Sequence, residues 1–242
     1  LRMSSLGVFE AFLNGRPVGD DILSPGWSAY EWRLRFRTYD VTELIENTMV
    51  LAATVGNGWY RGRLGFTGGR ALYGDRLGLI ADLRITFEDG HRQFVVTDET
   101  WSVGGSDVLA DDLYDGQIID ARRRTDDWYV PGREPRTFLA VRIVDFDTDT
   151  LVPYIGPVVR RQEVLAPTDV WVSPSGRTLV DFGQNIVGWV RVTVRGPAGS
   201  EIRIRHAEVL EHDELGTRPL RDAQATDRFI LSGGDDQFEP TK

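Results

Sequence analysis

Apolar and polar residues alternate along this chain with a period of two, and almost nowhere with a period near that of a helix. The alternation is clear in Trp32-Arg-Leu-Arg-Phe-Arg-Thr-Tyr39, from Leu77 to Phe87, from Phe138 to Val144 and in Val187-Gly-Trp-Val-Arg-Val-Thr-Val194. Successive side chains of a strand point to opposite faces, so each run offers one apolar face to a core and one polar face to solvent. Helical spacing is confined to Val41–Ile45, behind a possible Asp40 cap, and to Arg218–Ala225. Strands must carry the fold.

Turn residues punctuate these runs at Asn14-Gly15, Glu88-Asp-Gly90, Pro131-Gly132, Pro174-Ser-Gly176, Gly196-Pro-Ala-Gly199 and Gly233-Gly-Asp-Asp236. Glycine permits positive φ there and proline fixes φ. Many short strands with regular turns predict an all-β chain of the β-sandwich or jelly-roll kind. Asn14-Gly15, between Phe9-Glu-Ala-Phe-Leu13 and Pro17-Val18, reads as a hairpin tip. The polar segment Asp145–Thr150, followed by Pro153, Gly156 and Pro157, marks a boundary. It predicts two domains, residues 1–156 and 157–242.

Apolar residues make up 41% of the 242, with 7 Trp, 7 Tyr and 11 Phe, enough to build a core and to argue against disorder. A net charge of −9 gives no electrostatic pull toward nucleic-acid phosphates or an anionic membrane, and a neutral partner such as a sugar fits better. No apolar run reaches the roughly 18 residues of a membrane span, and the first residues lack the order of a signal peptide. With no Cys, disulfides, thiolate catalysis and Cys-ligated zinc are excluded.

The segment Gly56-Asn-Gly-Trp-Tyr-Arg-Gly-Arg63 carries the first candidate site. A pyranose has apolar C–H faces and polar hydroxyl edges; Trp59 and Tyr60 can cover the former while Asn57 and Arg61 hydrogen-bond the latter. The competing reading makes the aromatics core residues and the glycines bulges. Phosphate binding fails, because the spacing is not G-x-G-x-x-G and no helical pattern follows.

The segment Asp111-Asp-Leu-Tyr-Asp-Gly-Gln-Ile-Ile-Asp120 holds four carboxylates within ten residues. Such clusters can hold Ca²⁺, which takes six to eight oxygen ligands, or pair with sugar hydroxyls, although most acidic runs are solvated loops. Asp145-Phe-Asp-Thr-Asp149 begins like a calcium loop but lacks the required Gly and Glu. Glycoside hydrolysis needs an opposed acid and base roughly 5–9.5 Å apart, and nothing in the sequence marks such a pair. His91, His206 and His212 show no metalloprotease spacing. His206 with Glu208 reads as an outward polar row on a strand. In Asp181-Phe-Gly-Gln-Asn185, Gln184 and Asn185 read either as fixing a domain contact or as a hairpin turn, and Trp189 as sandwich core.

Several of these motifs, in this order, resemble the bacterial α-L-rhamnosidases of glycoside hydrolase family 78. Leu6–Gly15, Leu23-Ser-Pro-Gly-Trp27, Thr38-Tyr-Asp-Val-Thr42 and Asn57–Gly62 resemble the N-terminal jelly-roll domain; Asp181–Gly188, His206-Ala-Glu208 and Ala225-Thr-Asp227 resemble the concanavalin-like β-sandwich that follows it. The resemblance implies that the second domain is incomplete. It also implies an inverting parent enzyme acting on L-rhamnose-containing glycosides, with its acid and base on a downstream (α/α)₆ catalytic domain. No catalytic residue is therefore expected here. Sugar contacts are expected at Asn57, Trp59, Tyr60, Arg61, Tyr114 and Asp115, and a Ca²⁺ site at Asn57, Asp112 and Asp115. Family members often carry Glu where this chain has Gln117, which removes one carboxylate from that site. The alternative is a structural interaction module with no ligand.

Overall fold

The structure is a computed structural model that describes residues 1–65, 68–125, 128–133 and 138–240; the chain end at Thr241 and Lys242 lies outside the described residues. Strands account for 39% of the described residues and helix for 7%, so the fold is all-β.

Two sheets face each other in the N-terminal half. One has five strands in the order Leu151–Pro153, Leu34–Thr38, Arg2–Leu6, Gly78–Thr86 and Arg92–Val96; the other has Arg16–Pro17, Val8–Leu13 and Leu51–Gly56. Alternation decides which side chains meet between them. Along Gly78–Thr86, Ala81, Leu83 and Ile85 turn inward; from the facing sheet come Phe9, Ala11 and Leu13, and Met3 completes the layer. The chain passes from one sheet to the other at Gly7, whose φ is +128° and where a Cβ would lie 2.2 Å from the carbonyl oxygen of Gly56. Only glycine fits that corner. The predicted hairpin forms with Leu13 opposite Arg16, closed by positive φ at Asn14 (52°) and Gly15 (78°).

A second core draws on both halves of the chain. Val108–Ala110 and Ile118–Asp120 join Thr226–Ile230 and Glu201–Arg205 in one four-stranded sheet, in which Ile118–Asp120 runs parallel to Thr226–Ile230. Ile119 and Ala121 thereby pack with Phe229, Leu231 and Phe238, the last supplied by the pairing of Asp235–Phe238 with Val192–Arg195. The Phe229 and Phe238 rings stack at 4.6 Å and both are fully buried. A sheet thus crosses the expected division near residue 157.

Where pattern and structure part, the partner strand decides. Of Phe138–Val144, only Leu139–Ala140 is a strand, because only it finds a partner, Ser102–Val103. Of Val187–Val194, only the end is paired, in Val192–Arg195. Trp189 lies outside the apolar cluster around Phe229: it is half-buried, donates its indole N–H to Glu239 Oε1 at 3.2 Å and carries the Arg161 guanidinium 5.3 Å above its ring. The two expected helices shrink to single 3₁₀ turns, Thr42–Leu44 and Arg218–Leu220. Asp40 does accept the Thr42 N–H, at 3.1 Å. Gln184 and Asn185 are exposed, and no hairpin forms at them: Thr178–Asp181 pairs with Asp169–Val172, and Val192–Arg195 with Asp235–Phe238.

Truncating Phe229 to Ala should destabilise the chain by about 3–5 kcal/mol, and Ile119 to Ala by about 2–5 kcal/mol. Urea unfolding read by far-UV circular dichroism checks both. Because Ile119 and Phe229 share one sheet and one core, the Ile119→Ala loss should appear in the transition that Phe229→Ala weakens.

Candidate functional site

Both candidate segments converge on the place where the strand Leu51–Gly56 leaves its sheet. A single helical turn, Gly58–Arg61, follows it, although no helical periodicity marks these residues. The turn exists because glycine allows it: Gly58 has φ +49°, and a Cβ there would lie 2.5 Å from Val8 Cγ1. Asn57 anchors the turn to the acidic loop. Its backbone N–H donates to Asp111 Oδ2 at 2.6 Å and its Nδ2 to the Asp111 carbonyl at 2.7 Å, while its Oδ1 accepts from Arg61 Nε at 2.5 Å.

The helical turn presents Trp59 and Tyr60 to an aromatic cluster that the sequence motifs did not assemble. Trp59 lies parallel to Trp27, with centroids 6.2 Å apart and 3° between the planes. Trp27 is 51% exposed and donates its indole N–H to the Tyr73 hydroxyl at 3.2 Å. Tyr60 packs edge-on against Tyr30 at 5.1 Å, and Tyr30 lies 4.8 Å from Tyr73. Burial, reinforced by its tyrosine neighbours, pushes the Tyr30 hydroxyl well above the usual phenol range, so it stays a neutral group. A Cβ on Gly74 would lie 2.1 Å from the Tyr60 hydroxyl, so that oxygen is packed against backbone. Trp27 ends the Leu23-Ser-Pro-Gly-Trp27 motif and Tyr73 belongs to no motif; nothing in their spacing ties them to Trp59.

The acidic loop is not solvated. Asp112 and Asp120 are 5% and 4% exposed. Asp112 Oδ1 accepts the backbone N–H of Tyr114 (2.9 Å) and Asp115 (3.1 Å); its Oδ2 accepts the Arg63 N–H (2.9 Å) and Arg70 Nη1 (2.9 Å). Asp115 takes Arg63 Nη1 on Oδ1 at 2.7 Å and Arg70 Nη2 on Oδ2 at 2.8 Å. Arg63 Nη1 also donates to the Asp222 carbonyl at 2.8 Å, and the Ala225 and Thr226 N–H groups donate to the carbonyls of Tyr114 and Asp115. The loop therefore clamps the Arg63–Leu64 and Gly69–Arg70 hairpin to residues 222–226. Tyr114 is half-buried, and its ring joins none of the aromatic pairs among the described residues.

The structure thus splits the predicted sugar residues into two groups. Asn57, Trp59, Tyr60 and Arg61 stand on one turn beside the aromatic cluster; Tyr114 and Asp115 belong to the clamp. His206 is not part of an outward row: it follows the end of the strand Glu201–Arg205, and its Nε2 lies 3.0 Å from Oδ2 of the buried Asp227. Asp227 Oδ1 in turn accepts the backbone N–H of Gln117 at 2.9 Å.

The residues nominated for Ca²⁺ do not fit it in this arrangement. Every side-chain oxygen of Asn57, Asp112 and Asp115 already accepts from an N–H donor, and no group of three or more His, Asp or Glu suited to a metal stands among the described residues. Positive charge is supplied instead by Arg63 and Arg70, as permanently charged forked donors. Chelation with EDTA should leave the thermal unfolding midpoint unchanged. Asp112→Ala should cost about 3 kcal/mol or more, since it strands buried N–H groups and the paired Arg70; differential scanning calorimetry measures both.

Residues 1–163 match the α-L-rhamnosidase N-terminal domain, and residues 172–242 match the bacterial α-L-rhamnosidase concanavalin-like domain. The α-L-rhamnosidase of Streptomyces avermitilis is 40% identical over 244 residues, covering 99% of this chain and 24% of that protein. The crystal structure of native α-L-rhamnosidase from Aspergillus terreus superposes with a TM-score of 0.96 at 41% identity, over 99% of this chain and 28% of that one. The Streptomyces avermitilis enzyme complexed with L-rhamnose superposes with a TM-score of 0.94 at 39% identity, again over 99% of this chain and 24% of that one. The chain spans about a quarter of the length of these relatives. It belongs to the α-L-rhamnosidase family, as an N-terminal domain followed by concanavalin-like sequence.

Proposed function

We propose that this chain is the noncatalytic β-domain portion of an α-L-rhamnosidase acting on terminal α-L-rhamnosides, and that it recognises the rhamnosyl residue at the Asn57–Arg61 turn. The observation that carries the reading is the parallel Trp27 and Trp59 pair, with Trp27 half-exposed and Trp59 on the same helical turn as Arg61. L-Rhamnose, a 6-deoxy sugar, has a methyl group and axial and equatorial C–H bonds that suit an indole face. Its hydroxyls suit Arg61, whose Nε–H alone is used in a described hydrogen bond.

A purely structural role has its own support in the clamp. Asp112 and Asp115 are satisfied by Arg63, Arg70 and backbone donors, which accounts for the acidic loop without any ligand. That reading is assigned to Tyr114 and Asp115, and the sugar reading to the aromatic turn.

Isothermal titration of the chain with L-rhamnose, with and without Ca²⁺, separates the two. Binding is expected in the millimolar range or tighter and independent of Ca²⁺. Trp59→Ala should weaken it at least tenfold, on the scale of about 1.4 kcal/mol, while Asp115→Asn should leave affinity unchanged. No heat at high millimolar sugar would leave a scaffold alone, and release of p-nitrophenol from its α-L-rhamnoside by this chain would overturn the noncatalytic assignment.

A further inference from the structure

The strand Val8–Leu13 pairs with Leu51–Gly56 along one edge and meets residues 16–24 along the other. The N–H and C=O groups of an antiparallel strand point to its two neighbours by turns, so those of Phe9, Ala11 and Leu13 face this second edge. Two bonds close it: the Val18 N–H donates to the Ala11 carbonyl at 3.0 Å, and the Phe9 N–H to the Ser24 carbonyl at 2.7 Å. Between these bonds residues 19–23 swing away from the strand. They are held from outside, by the Ile22 N–H on the Val159 carbonyl at 2.9 Å and by the Arg160–Asp20 ion pair at 2.9 Å.

The gap is a cavity of about 350 Å³, within the roughly 300–1,000 Å³ of small-molecule sites. Phe9, Phe12, Pro17, Val18 and Ile22 give it apolar walls. Two buried polar groups border it unused. Ala11 is 6% exposed, and no described hydrogen bond takes its N–H. The Asp21 side chain is 4% exposed and accepts from Ser24 Oγ, Arg37 Nε (3.2 Å) and the Tyr39 hydroxyl (2.9 Å), all on Oδ2. No described bond reaches its Oδ1. Buried N–H groups and carboxylate oxygens are paired in folded proteins, so both atoms call for a group inside the cavity. Gly19 keeps the space clear, since a Cβ there would lie 2.6 Å from Asp21 Oδ1.

We propose that this cavity binds a neutral, monosaccharide-sized polyol, at a site that shares no residue with the Asn57–Arg61 turn. The two unused atoms select hydroxyls. A hydroxyl both accepts from the Ala11 N–H and donates to Asp21 Oδ1; an ammonium group cannot do the first, and a carboxylate cannot do the second. Charge on Asp21 and the adjacent Asp20 opposes an anion. The apolar walls suit the C–H faces of a pyranose. This inference makes no use of the sugar reading of the aromatic turn.

Backbone amide resonances of the chain are followed by nuclear magnetic resonance while L-rhamnose, D-galactose or D-galacturonate is added. The Ala11 amide should shift and saturate at millimolar concentrations of a neutral sugar, and stay unmoved with D-galacturonate. The Glu10 and Phe12 amides, turned toward Leu51–Gly56, should move far less. Asp21→Asn should weaken the Ala11 response at least about tenfold, the scale of a lost bond to a charged acceptor. Asp21 also holds Arg37 and Tyr39, so if that variant does not fold, the unmodified chain decides.

No saturating shift at Ala11 with either neutral sugar would overturn the proposal and leave the cavity to water. An equal response to D-galacturonate would overturn it as well. The Trp27 and Trp59 indole signals report the aromatic turn in the same titration, so failure of one site is distinguishable from failure of the other.

Discussion

The parallel pairing of Ile118–Asp120 with Thr226–Ile230 holds the molecule together. It brings residues separated by more than a hundred positions into one sheet, and the second core exists only because Ile119 and Ala121 enter it beside Phe229 and Phe238. The approach is close: a Cβ on Gly116 would lie 2.3 Å from the Thr226 carbonyl oxygen. Asp227, buried next to that junction, accepts the Gln117 N–H with one oxygen and faces His206 with the other. Parallel pairing across such a separation gains nothing locally during folding, so this junction should form late.

That junction also explains what the acidic loop does. Residues 111–117 lead into the crossing strand, and their carboxylates are spent on fixing it. Asp111 holds Asn57, Asp112 holds the loop's own N–H groups and Arg70, and Asp115 shares Arg63 and Arg70. Buried carboxylates need compensation, and arginine forks supply it without a metal. The cost of burying so much charge is offset by geometry that places the Asn57–Arg61 turn at a fixed distance from the sheet. The aromatic cluster around Trp27 and Trp59 stands on that rigid base, which would keep the proposed sugar surface in shape before a ligand arrives.

The fold was legible where alternation and turn chemistry agreed. Asn14-Gly15 closed the predicted hairpin, and Leu77–Phe87 became a strand because three inward positions, Ala81, Leu83 and Ile85, met a facing layer. The Val187–Val194 reading failed at its front because alternation permits a strand and a partner makes one; Trp189 instead answers to Glu239 and Arg161. The acidic run reads as solvated when each carboxylate is considered alone, since sequence does not show that Arg63 and Arg70 fold back over Asp112 and Asp115. Trp27 was missed as a site residue for a similar reason. More than thirty positions separate it from Trp59, and only the tertiary fold lays their rings parallel.

In the proposed function the indole surface beside the Asn57–Arg61 turn, and not the carboxylate clamp, meets the sugar. Indole N–H resonances of the 7 Trp can each be followed by nuclear magnetic resonance while L-rhamnose is added. The Trp27 and Trp59 signals should move together and saturate, with the backbone amides of Tyr114–Gln117 unmoved. Shifts confined to Tyr114–Gln117, or no shift at either place, would contradict it.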